Sequence, residues 1–139
     1  MKRWLVDTGP FVAYLDRADS VHDDVTACID GFTGQLTTTG AVVTEVMYFL
    51  SDVQDGPPSF AELLARARVQ IVDVPQASRI MAAAALMKKY ADTPMDFADA
   101  TLVGAAEQLG IVDVLTLDRR GFSTYRPSKG RRFRLVLDA

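Results

Sequence analysis

A single charge, Glu45, interrupts the run 40–51, GAVVTEVMYFLS. That run reads as a helix whose apolar positions go most of the way round. A carboxylate on such a helix must face the interior or a cleft. A lone buried charge costs several kcal/mol even after relaxation, so something must compensate it. Candidate cations are scarce nearby, whereas isolated aspartates close other apolar runs: Asp7, Asp99 and Asp118. Four acids from distant parts of one chain can converge around a divalent metal, and that constraint organises the reading.

At 139 residues the chain suits one domain, 1–139, long enough to bury roughly two thirds of its unfolded surface. Its 49% hydrophobic content excludes disorder. No apolar stretch approaches the roughly 20 residues needed to span a bilayer, so no membrane partner is expected. The opening MKRWLVD reaches an acid too early for a signal peptide. The single cysteine, Cys28, excludes an internal disulfide and a thiolate zinc site and reads as a small core residue. The expected compartment is the reducing cytoplasm. Net charge is −3, yet residues 118–139 carry seven Lys/Arg against two acids, which leaves −8 on the rest. Such an end either binds polyanions or is a solvated basic surface.

The apolar run 3–6 stops at Asp7, and Pro10 then sits in the first turn of a helix. Ser20 is the expected cap of a second helix reaching about Asp30. A short β-prone piece at 35–38 follows, and Thr39 can cap the helix that carries Glu45. Asp55 to Ser59 is a breaker, with Ser59 as cap of a helix to about Ala67. Residues 69–74 alternate as a strand, 77–90 read as an alanine-rich helix whose methionines serve packing, and Asp96 caps a helix over 97–109 that Gly110 stops. Strands are expected at 112–117 and 133–137. Strands alternating with helices predict an α/β fold with a mostly parallel sheet covered on both faces. In such sheets, sites lie beyond the carboxyl ends of the strands. Asp7 and Asp118 each follow a strand directly and so project from one edge. Asp99 lies in the first turn of its helix and Glu45 near the second turn of its own.

Each acid also has an ordinary reading. Asp7 can cap a helix, Glu45 can be a salt-bridged helix acid, Asp99 favours the positive end of a helix dipole, and Asp118 can pair with Arg119 or Arg120. Asp96 and Asp99 share a face at i, i+3, which ranks Asp99 as ligand and Asp96 as cap or helper. The joint placement is stronger than any single position, because carboxylate oxygens with water suit hard cations such as Mg²⁺ or Mn²⁺. Other chemistries lack parts. The only histidine, His22, sits at a helix start, and neither a P-loop nor a dinucleotide fingerprint occurs.

Four ordered segments, Val6-Asp7-Thr8-Gly9-Pro10-Phe11, Thr44-Glu45-Val46, Phe97-Ala98-Asp99-Ala100-Thr101-Leu102-Val103 and Leu115-Thr116-Leu117-Asp118-Arg119-Arg120-Gly121-Phe122, resemble the PIN-domain family, most nearly its VapC-type toxins. The resemblance implies a three-layer α/β/α sandwich and a metal-dependent endoribonuclease whose acids, here Asp7, Glu45, Asp99 and Asp118, bind Mg²⁺ or Mn²⁺. Thr8 matches a small hydroxyl residue beside the first acid, and Thr116 one before the last. Gly121 departs from a position that is polar in many relatives, and Asp96 adds an acid where relatives vary. The resemblance also implies a cognate antitoxin.

The expected activity is hydrolysis of RNA phosphodiester bonds, leaving a 5′-phosphate and a 3′-hydroxyl as the family implies. Arg119, Arg120, Arg126, Arg131 and Arg132 are expected to hold flanking phosphates, with Phe122 and Tyr125 stacking on unpaired bases. A homodimer is expected through Phe11, Tyr14 and Leu15. The alternative from another class is a non-catalytic PIN-like module that binds RNA or a protein, its acids docking a partner's arginine. An aspartyl phosphatase fits less well, because position 9 is Gly where that chemistry wants a second acid.

Overall fold

Short β-branched and apolar runs become the strands of a sheet in the computed structural model, which describes residues 1–74 and 76–138. In chain order the elements are β1 (Arg3–Val6), α1 (Thr8–Leu15), α2 (His22–Asp30), β2 (Gln35–Thr39), α3 (Gly40–Leu50), α4 (Gly56–Arg66), β3 (Gln70–Val72), α5 (Ala77–Lys89), α6 (Phe97–Leu109), β4 (Asp113–Leu115), α7 (Arg119–Thr124) and β5 (Arg134–Leu135), closed by a 3₁₀ turn, Val136–Asp138. The strands lie in the order β3-β2-β1-β4-β5. All four pairings are parallel, with Leu5 opposite Thr37 on one side and Val114 on the other.

Chain progression across the sheet reverses at β1. Right-handed crossovers therefore put the helices that follow β1 and β2 on one face and those that follow β3 and β4 on the other, giving an α/β/α sandwich. The reversal opens a crevice at the carboxyl ends of β1 and β4, the switch point where open α/β sheets hold ligands.

Central strands covered on both faces are largely apolar, and Leu5, Val6, Leu36, Val114 and Leu115 are buried. Val42, Val46 and Leu50 seat α3, while Leu102, Val103 and Ala106 seat α6. Phe11 meets Phe60 edge-on at 5.1 Å between ring centroids. The threonines of β2 are buried because their hydroxyls find partners: Thr38 donates to the Val6 carbonyl (2.8 Å), and Thr39 bonds Thr101 on α6 (2.8 Å). No helix among the described residues is long and apolar enough to cross a membrane.

Several local expectations need correction. Ser20 does not cap α2; the cap position is Val21, with no side-chain bond. Ser59 lies inside α4, which starts three residues earlier from Asp55 in the left-handed region (φ 56°) with prolines in its first turn. The strands expected at 69–74, 112–117 and 133–137 are trimmed to β3, β4 and β5. Phe11 is fully buried and offers nothing to a second copy, Tyr14 and Leu15 are half-buried, and the Tyr14 hydroxyl donates to Asp30 (2.7 Å). Met81 is exposed rather than packed, and Cys28 is half-buried. Residues 119–124 also form a helix, too short to show a periodic apolar stripe in the sequence.

Candidate active site

The first acid is placed by the sheet itself. The Asp7 amide donates to the Leu115 carbonyl (3.0 Å), which carries the β1–β4 ladder one step beyond the strand. The side chain then turns back to cap α1, where Oδ1 accepts from the Thr8 amide (2.8 Å). Oδ2 accepts from the Thr116 hydroxyl (2.8 Å), and that same Thr116 oxygen accepts from the Asp118 amide (3.0 Å). One hydroxyl thereby ties the residue after β1 to the loop after β4.

Asp99 is placed by helix capping. Asp96 Oδ1 accepts from the Asp99 amide (2.8 Å), and Asp99 Oδ2 accepts from the Asp96 amide (3.1 Å), a reciprocal box that satisfies two otherwise unpaired donors. Asp118 likewise caps α7, its Oδ1 accepting from the Gly121 amide (2.9 Å). A side chain at Gly121 would collide with the Asp118 carboxylate, so the glycine that departs from the family pattern is what lets Asp118 fold over the helix start. Glu45 is on the second turn of α3 and half-buried, with Thr8 and Asp96 the polar side chains that act on its carboxyl.

These acids share one cleft of about 520 Å³. It is lined by Asp7, Glu45, Asp96, Asp99 and Asp118 with Thr8, and also by Asp19, Gly9, Val12, Phe49 and Leu117. Glu45 therefore points into the same space as Asp7 and Asp99, although Tyr48 and Phe49 beside it are exposed rather than covered. Asp19, which no motif singles out, also lines the cleft, and its carboxylate accepts from the Val21 amide in the α1–α2 loop. It had no signal beyond being one of several loop acids.

Burial governs the charges. Asp7 is 8% exposed; desolvation pushes its carboxyl up to about 6, against the bonds from Thr116 and Thr8, with Asp96 and Asp118 adding to the rise. Asp99 is pushed to about 8, first by desolvation and then by Asp7. Glu45 is raised by desolvation, lowered by the nearby Thr8 hydroxyl and raised again by Asp96. Thr8 Oγ1 is buried and has no hydrogen-bond partner among the described residues.

An inward-facing unpaired hydroxyl and mutually repelling carboxylates are what a hydrated cation would satisfy. Among the described residues, no three metal-binding side chains stand as close together as a directly ligated ion requires. Asp7, Asp96, Asp99 and Asp118 are instead turned onto helix starts. A hard cation that keeps several of its own waters fits this donor set better than a fully dehydrated one.

The basic end is less uniform than its charge suggests. Arg119 Nε pairs with Asp138 (3.0 Å), while Arg120, Arg131 and Arg132 are exposed. The Arg126 guanidinium donates to the carbonyls of Ser123, Thr124 and Tyr125 (2.8–3.1 Å), closing the end of α7. Phe122 and Tyr125, expected to stack on bases, are 0% exposed. They pack edge-on against each other at 5.3 Å, and the Tyr125 hydroxyl donates to the Pro94 carbonyl (2.8 Å). Both belong to the core.

Residues 4–126 match the PIN domain; the chain belongs to the PIN-domain family. It is 34% identical over 134 residues to Ribonuclease VapC26 of Mycobacterium tuberculosis, covering 95% of this chain and 98% of that protein. Among solved structures it resembles the crystal structure of Mycobacterium tuberculosis VapC20, titled a sarcin-ricin loop cleaving toxin, with a TM-score of 0.74 and 19% identity over 83% of this chain and 89% of that one. A toxin–antitoxin complex from Klebsiella pneumoniae matches with a TM-score of 0.65 and 15% identity, over 90% and 98% of the two chains. At these identities the solved structures speak for the fold.

Proposed function

We propose that the protein is a metal-dependent endoribonuclease, the toxin of a toxin–antitoxin pair, with its site in the acidic cleft. The observation that carries this reading is the convergence of Asp7, Glu45, Asp99 and Asp118 on the switch point of the sheet. The likeness to Ribonuclease VapC26 supports it over nearly the whole chain. Asp7, Asp99, Glu45 and Asp118 would hold Mg²⁺ or Mn²⁺, directly or through water. When bound, such an ion supplies Lewis acidity and a water of lowered pKa.

The chain's own residues do the rest. Thr116 and the Thr8 amide fix both oxygens of Asp7. The capping box fixes Asp99 while leaving part of its carboxylate towards the cleft. Glu45, not tied to a helix start, can take the proton from a water attacking a backbone phosphorus in line, the P–O3′ bond breaking as the new P–O bond forms and the 3′-oxygen leaving with a proton from solvent. Arg120, exposed beside the cleft acid Asp118, can hold a flanking phosphate, with Arg119 joining if its pair with Asp138 opens. Arg126 can join only by giving up its carbonyls.

An antitoxin and a cytoplasmic setting belong to the same proposal. So does self-association, carried now by apolar side chains outside α1, namely the exposed Ile71, Ile80 and Met81. The non-catalytic alternative is separated cheaply. Single-stranded RNA incubated with the protein and Mn²⁺ should be cut to products with 5′-phosphates, and excess EDTA should stop it. Intact RNA under both conditions would leave a binding module.

A further inference from the structure

A core tyrosine joins two sides of the cleft by a route that the chemistry above leaves unused. Tyr125 follows α7 and is 0% exposed. Phenylalanine would fill the same space, as Phe122 does beside it, without burying a hydroxyl. A buried hydroxyl costs free energy unless it is paired. Here it donates to the Pro94 carbonyl (2.8 Å), 31 residues away in the chain. Pro94 has no amide hydrogen, so that carbonyl is its one backbone polar group. Two residues later Asp96 opens the capping box with Asp99. A second bond runs the opposite way: the Arg126 amide donates to the Tyr90 hydroxyl (3.2 Å) at the end of α5. The Tyr90 and Tyr125 rings meet edge-on at 5.1 Å.

The same tyrosine lies against the start of α7. A Cβ at Gly121 would stand 3.0 Å from Tyr125 Cε2 and collide with Asp118. The ring therefore underlies the turn that carries Asp118, while its hydroxyl holds the segment that leads to Asp96 and Asp99. Burial first, and then the charges of Asp99, Asp118, Asp96 and Asp7, raise the pKa of that hydroxyl. It stays a neutral donor, so the direction of its bond to Pro94 is fixed.

We propose that Tyr125 and Tyr90 form a clasp that sets the distance between Asp118 and the Asp96–Asp99 pair, which makes Tyr125 a positioning residue for the cation site. This rests on the nuclease reading of the cleft and adds what holds two of its sides in register. The need for a clasp is electrostatic, because neighbouring carboxylates repel one another when no cation lies between them. Thr116 ties Asp7 to the loop of Asp118. The capping box of α6 and the cap of α7 are each local to their own helix, so neither ties Asp99 to Asp118. Residues 90–96 lie in neither helix nor strand. Their placement falls to the buried Met95 and to bonds such as the one from Tyr125.

Tyr125→Phe removes the hydroxyl and keeps the ring, and Tyr90→Phe removes the acceptor of the second bond. Tyr14→Phe is the matched control, since it loses a hydroxyl bond from α1 to Asp30 on α2 (2.7 Å). Mn²⁺ binding is measured by calorimetry without RNA, cleavage is resolved into kcat and KM, and amide hydrogen exchange is followed over residues 91–99. Tyr125→Phe should weaken Mn²⁺ binding and lower kcat by about tenfold, the low end of what losing a ligand-orienting partner costs. KM for RNA should hold, because no phosphate-holding side chain is touched. Exchange over 91–99 should quicken. Tyr90→Phe should move the same readouts in the same direction. The double variant should lose less than the product of the two single losses, because both open one clasp. Tyr14→Phe should leave Mn²⁺ affinity and kcat unchanged, whatever it does to melting.

A folded Tyr125→Phe with wild-type Mn²⁺ affinity and kcat would overturn the proposal. Equal losses in Tyr14→Phe would do the same and reduce Tyr125 to a core residue. Should Tyr125→Phe not fold, Tyr90→Phe decides on the same readouts. Mn²⁺ binding that weakens in Tyr125→Phe, in a protein that cuts no RNA, keeps the clasp and removes the nuclease. Cleavage and Mn²⁺ binding indifferent to Tyr125→Phe do the reverse, and a wild-type protein that binds no Mn²⁺ removes both.

Discussion

At the scale of single residues, Thr116 is the joint on which the site turns. Its one hydroxyl donates to Asp7 and accepts from the Asp118 amide, so it orients two acids that are distant in the chain. Thr116→Val keeps the volume and removes both bonds. The bond to Asp7 lowers that carboxyl's pKa, so its loss should raise Asp7 further and weaken cation binding. The expected cost is roughly 10- to 100-fold in kcat/KM or in metal affinity, the range seen when ligand-orienting partners are lost, with Thr116→Ser restoring most of it. Metal titration together with cleavage kinetics would check this; a valine variant that matches wild type in both would mean that Thr116 only packs.

The elements of the fold explain what was legible before any coordinates. Asp7, Asp99 and Asp118 stand out because each ends an apolar run or opens a helix, and β1, α6 and the end of β4 carry them to the edge to which α3 carries Glu45. The α6 boundaries agree with expectation because Asp96 and Gly110 mark its ends by capping chemistry and by a left-handed backbone (φ 69°). What escaped was tertiary. Phe122 and Tyr125 sit among arginines, so local composition reads as surface, yet Asp118 nucleates the six-residue α7 that turns both rings inward. Phe49 was hidden for the opposite reason, since an aromatic within an apolar run reads as core.

Asp96 tests cap against ligand within α6. Asn is as good a cap as Asp, so Asp96→Asn should keep stability while removing a charge that raises Asp7, Asp99 and Glu45. Asp96→Ala should lose about 1 kcal/mol of capping energy, partly offset by the relief of repulsion. If Asp96 only caps, cleavage and metal affinity survive in the asparagine variant. A drop of tenfold or more in metal affinity, with unchanged melting, would make it a ligand.

Across the whole molecule, stability is tied to pH through the buried acids, and under the proposed function to a cation as well. Asp7 titrates near 6 and Asp99 near 8 in the folded chain, both above the ordinary aspartate value of about 3.9. Between about pH 4 and pH 8 the folded state therefore holds protons that the unfolded state has released, and linkage makes stability fall as pH rises through that window. The contribution is fully present below the unfolded value and is lost as pH passes each folded one. For Asp7, nearly buried, a rise of about two units corresponds to roughly 3 kcal/mol; Asp99 is half-open to solvent and its share is screened. In EDTA the melting temperature should drop by several degrees from pH 5 to pH 8.5, since a domain of this size loses about 2–4 °C per kcal/mol. Saturating Mg²⁺ or Mn²⁺ should flatten the profile by binding the ionised form. Asp7→Asn should remove the part of the drop near pH 5 to 6, shrink the rest by withdrawing the charge that raises Asp99, and abolish cleavage. Calorimetry across that range decides the matter: a metal-free profile that is flat, or that rises with pH, would mean the carboxylates are compensated within the fold itself and the cleft has no need of a cation.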